Sequence, residues 1–63
     1  MPVVNIKMVE GRTVEQKRAL VEGVTKAVNE AVGAPYENIM VLIEDVPLTN
    51  VAKAGVLFSD QKK

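Results

Sequence analysis

Apolar and polar positions alternate along the first stretch of the chain. From Pro2 to Val9, Val4, Ile6 and Met8 point one way, while Val3, Asn5, Lys7 and Val9 point the other. A period of two predicts a strand. Glu10-Gly11-Arg12 interrupts it as a turn, with Gly11 supplying the backbone freedom. The period then changes. Leu20, Val24, Ala27, Val28 and Ala31 recur at helical spacing, with Glu15, Lys17, Arg18, Glu22, Lys26, Asn29 and Glu30 as wet positions around them. Thr13 and Gln16 have the spacing of a capping box, and Glu15 suits the positive end of the helix dipole. Gly33 and Pro35 stop the pattern, so the helix should run from about Thr13 to Val32. Glu22 and Lys26 stand as an i,i+4 pair. Gly23 costs the helix about 1 kcal/mol relative to alanine, which predicts close packing there.

Ile39 to Ile43 is an unbroken apolar run ending at Glu44-Asp45. Such a run predicts a parallel strand with both faces covered. Strand, helix and strand make a βαβ unit, right-handed by the general rule. Its sheet has one face for its own helix. The other face is also apolar and nothing else in the chain is large enough to cover it, so it should meet another subunit. Residues 46–50 read as a loop, and 51–59 as a small hairpin or bulged segment around Lys53-Ala54-Gly55, reaching over a neighbour. Asp60 to Lys63 reads as a frayed polar tail. The fold class is thus α/β in the broad sense (α+β): a single β-α-β unit with a short C-terminal hairpin, one domain over residues 1–63.

Composition sharpens the need for partners. At 63 residues, a chain buries only about 60% of the surface its unfolded form exposes. There is no cysteine to staple it and no histidine to hold a structural metal, yet 48% of the residues are apolar. Oligomerisation is the remedy left. Eight basic and eight acidic residues balance, leaving no basic footprint for nucleic acid and no polybasic membrane patch. With no signal pattern and no membrane-length apolar run, a cytoplasmic protein is expected.

Familiar catalytic sets are missing, since histidine and cysteine are absent. The carboxylates Glu10, Glu15, Glu22, Glu30, Glu44 and Asp45 fall in a turn, on a wet helix face or at a strand end, where solvated structural roles are the ordinary outcome. Two residues remain. Pro2 becomes a rigid secondary amine if Met1 is removed; otherwise it is merely a proline after methionine. Arg12 is either a surface arginine near a helix start or an anion ligand. About 25–30 Å of strand separates them at ordinary rise, so they meet only if Arg12 of one subunit reaches Pro2 of another.

The opening Pro2-Val3-Val4-Asn5-Ile6-Lys7-Met8-Val9-Glu10-Gly11-Arg12-Thr13, followed by Glu15-Gln16-Lys17, resembles the 4-oxalocrotonate tautomerase family. Gly33-Ala34-Pro35, the apolar strand and Ala54-Gly55-Val56-Leu57 extend the likeness over nearly the whole chain. The resemblance implies a tautomerase/MIF-like fold in which two β-α-β subunits share a four-stranded sheet and three such dimers form a homohexamer. It implies a cofactor-independent isomerase with no metal, acting on enols such as 2-hydroxydienoates or phenylenolpyruvate. Pro2, freed of Met1, would be the catalytic base, and Arg12 would bind the substrate carboxylate. A proline amine near neutrality can take a proton from oxygen and return one to carbon, and a guanidinium fork suits a carboxylate.

Two departures qualify the likeness. Many members of the family carry an arginine in the second strand where Met40 stands here, and an aromatic wall where Val51 stands. Lys53 is the candidate replacement charge. These changes predict weaker activity on dicarboxylate dienols and a preference for smaller or aryl-bearing substrates. Two other readings remain open: a non-catalytic partner subunit of a mixed tautomerase oligomer, and a related hydrolytic dehalogenase. The latter needs an extra carboxylate, and none lies between Asp45 and Asp60.

Overall fold

The computed structural model describes residues 1–61. Strand β1, Val3–Val9, leads into helix α1, Val14–Val32, which returns the chain to strand β2, Met40–Val46. The strands pair in parallel, in register from Val3 opposite Met40 to Val9 opposite Val46. Local chemistry fixes the helix at both ends. The Thr13 hydroxyl accepts from the Gln16 backbone N–H (3.1 Å), and the Gln16 side-chain oxygen accepts from the Thr13 N–H (2.9 Å). At the other end Gly33 takes φ 77°, and its N–H donates to the Asn29 carbonyl at 2.9 Å. The expected capping box and left-handed stop are both present.

The alternation read from β1 holds. Val4, Ile6 and Met8 are half-buried on the helix side, joined from β2 by Val41 and Ile43. The helical stripe is displaced from the expected one. Leu20, Val21, Val24, Thr25 and Val28 are half-buried, whereas Ala27 and Ala31 are exposed. Small alanines gave the apolar count its apparent width without reaching the sheet. Lys17, expected to be wet, is half-buried on the inner face. The Glu22–Lys26 pair is not among the ion pairs of the described residues; Glu15 and Arg18 pair instead at 2.5 Å. A Cβ on Gly23 would meet nothing within 4 Å, so the close packing expected there does not occur within the chain.

β2 also differs from expectation. It continues through Glu44 and Asp45 to Val46, because Asp45 has a partner on the helix. One face of the strand is open within the chain, as expected: Met40 and Leu42 are 46% and 49% exposed, beside Val3 at 52%. This open face bears four cross-strand rows, Val3/Met40, Asn5/Leu42, Lys7/Glu44 and Val9/Val46, the third an ion pair at 3.9 Å.

After β2, Leu48–Asn50 forms a 3-10 turn where a plain loop was expected. Then β3, Ala52–Lys53, and β4, Val56–Leu57, make an antiparallel hairpin. Its two turn residues, Ala54 and Gly55, both have positive φ (53° and 81°), the signature of a type I′ turn. The Phe58 N–H donates to the Val51 carbonyl at 2.8 Å. Phe58–Asp60 is a further 3-10 turn, so the polar tail starts later than expected; Lys62 and Lys63 lie outside the described residues.

No described residue is fully buried. The radius of gyration is 15.0 Å, against roughly 10–11 Å for a compact chain of this length.

Candidate active site

Pro2 is half-exposed and immediately precedes β1. Its carbonyl accepts the Met40 N–H at 3.0 Å, extending the β1–β2 ladder by one rung. The ladder therefore holds the proline ring at the end of the sheet. Met40, where the sequence lacks a charge, is the residue bonded to it. Its neighbours on the open face, Val3 and Leu42, are apolar.

Arg12 lies at the opposite end of β1. Gly11 precedes it with φ 124°, a conformation that side chains rarely adopt, and Thr13 caps the helix directly after it. The turn thus places Arg12 in the lining of a cleft of about 230 Å³, with Met8, Gln16, Lys17 and Leu20. The cleft combines apolar Met8 and Leu20 with two cations, exposed Arg12 and half-buried Lys17. The seven residues of β1 span about 23 Å at normal strand rise. One chain does not bring Pro2 and Arg12 together.

The acids around Arg12 are all engaged elsewhere. Glu10 accepts the Leu48 N–H at 3.1 Å, while its own N–H donates to the Val46 carbonyl at 2.9 Å. Glu15 pairs with Arg18, and Asp45 with Lys17 across the helix–sheet junction. Arg12 has no ion-pair partner among the described residues. Val51 is half-buried ahead of the hairpin and Lys53 is exposed within it; neither lines the Arg12 cleft. Neither Met8 and Leu20 as cleft lining nor the Lys17–Asp45 pair was legible in the sequence. Both strand and helix patterns were legible, but not which strand end meets which helix turn.

Residues 2–61 match the family described as tautomerase enzyme. The chain belongs to the tautomerase family. It is therefore an isomerase by family, and the resemblance seen in its opening residues holds across the fold. A probable tautomerase of Bacillus cereus is 54% identical over 61 residues, covering 97% of this chain and all of the relative. The 2-hydroxymuconate tautomerase of Bacillus subtilis is 53% identical over 62 residues, covering 98% of this chain and all of the relative. Among solved structures, YwhB, a homologue of 4-oxalocrotonate tautomerase, superposes with a TM-score of 0.91 at 52% identity, over 97% of this chain and 100% of that one. A heterohexamer 4-oxalocrotonate tautomerase from Chloroflexus aurantiacus gives 0.90 at 29% identity, over 98% and 100%. This tautomerase shares their β-α-β architecture. No helix among its described residues is long and apolar enough to cross a membrane.

Proposed function

We propose that this tautomerase is a cofactor-independent keto–enol isomerase of the 2-hydroxymuconate type, a single domain over residues 1–63 working in the cytoplasm. Pro2, after loss of Met1, is the base. Its amine takes the proton from the enol hydroxyl, the electron pair moves through the conjugated system, and the prolinium returns a proton to carbon. Arg12 of a neighbouring copy binds the carboxylate as a two-pronged hydrogen-bond donor. The observation that carries this reading is the position of Pro2, held by its hydrogen bond with Met40 at an apolar end of the sheet. A base needs such fixed placement, and apolar surroundings favour its neutral form.

The substrate we favour has one carboxylate and an apolar far end, such as a small 2-hydroxydienoate or phenylenolpyruvate. 2-Hydroxymuconate carries a carboxylate at each end, and no cation lies between Asn38 and Ile43 beside Pro2 to receive the second. The assembly we favour is a homohexamer built as three dimers. A second reading draws on the heterohexamer relative: this chain as a partner subunit whose companion supplies the base. Intact mass and one variant separate the two. Met1 removed, and Pro2→Ala lowering kcat for phenylenolpyruvate about 100-fold or more in the pure homo-oligomer, is the expected result. Full activity in that variant, or Met1 retained in an active enzyme, would end the Pro2 reading.

A further inference from the structure

We propose that Lys17 is a positioning residue for substrate binding: by holding Asp45 against the helix, it keeps Arg12 free for an incoming carboxylate. This rests on the reading of Arg12 as the carboxylate ligand. Asp45 sits in register with Met8 on β1, and Met8, Arg12 and Lys17 line the same cleft. Asp45 is thus the acid on the sheet next to the cleft, and a protein carboxylate is the natural competitor of a substrate carboxylate for one guanidinium. The Lys17 ammonium bonds the Asp45 Oδ2 across 28 positions of sequence. The groups are 28% and 41% exposed, so water screens the pair less than a fully wet one.

The flanking acids strengthen the case. Glu10 is bonded to the Leu48 N–H and Glu15 to Arg18. With Asp45 on Lys17, each carboxylate in the turn, the first helical turn and the facing strand end has a partner other than Arg12. Of these, the Lys17–Asp45 pair alone among the described ion pairs includes a residue lining the cleft. Lys17 touches neither substrate nor reacting atoms in this account. It acts by occupying a rival.

The test is a double-mutant cycle on the intact oligomer, with phenylenolpyruvate as the single-carboxylate probe. Lys17→Met should raise KM about three- to fivefold, the size of one partly exposed ion pair, with kcat unchanged. Lys17→Arg should keep the wild-type KM. Asp45→Asn alone should leave KM at or below wild type, and added to Lys17→Met it should restore KM. A Lys17→Met enzyme with unaltered KM, or no restoration by Asp45→Asn, overturns the proposal. Should Lys17→Met fail to assemble, the Lys17→Met/Asp45→Asn enzyme carries the test: wild-type KM supports the proposal and a raised KM defeats it. Arg12→Ala separates the two layers. An unchanged KM there removes the Arg12 reading and this proposal with it. A raised KM there, with none in Lys17→Met, removes this proposal alone.

Discussion

Ala54 holds φ at 53° in the first position of a two-residue turn, where the side chain of any L-residue is crowded. Glycine there should stabilise the assembly by about 1 kcal/mol, and urea unfolding at fixed protein concentration measures it. An unchanged midpoint would show that the hairpin is held by its neighbours rather than by its turn. Met40 invites the opposite kind of change. Its N–H is bonded to Pro2, and Met40→Arg adds the cation that a second carboxylate requires. Relative kcat/KM for 2-hydroxymuconate over phenylenolpyruvate should rise about tenfold, the worth of one charge-assisted hydrogen bond. If the ratio does not move, Met40 does not set the choice of substrate.

Elements whose instructions are local were legible in the sequence. Thr13, Gln16 and Gly33 specify the ends of α1 within a few residues of themselves, and Thr13→Ala should cost about 1 kcal/mol in the same urea titration. The hairpin was legible in part, as one of two readings around Lys53-Ala54-Gly55, and the structure places its turn at Ala54-Gly55. Strand β2 was not fully legible. Glu44 and Asp45 have the look of a strand end, yet Glu44 is answered by Lys7 across the sheet and Asp45 by Lys17 on the helix. Such pairings are written far apart in sequence. The stripe erred differently, because Ala27 and Ala31 count as apolar without being large enough to demand burial. At the site, Pro2 and Arg12 were readable as unusual groups, whereas the cleft beside Arg12 depends on the angle at which helix meets sheet.

At the scale of the molecule, a chain with no fully buried described residue and three large apolar side chains open on one sheet face cannot be judged alone. Leu42→Glu should break the assembly, and sedimentation at micromolar concentration should show subunits too small for an oligomer; intact oligomer would mean that this face is not where copies meet. The length of β1 has a genetic consequence. If each site takes Pro2 from one chain and Arg12 from another, impaired Pro2→Ala and Arg12→Ala chains can complement. Unfolded together at equal amounts and reassembled, they should regain about a quarter of the sites, since each site samples its two donors independently. Two crippled alleles in one cell would then make a partly restored enzyme.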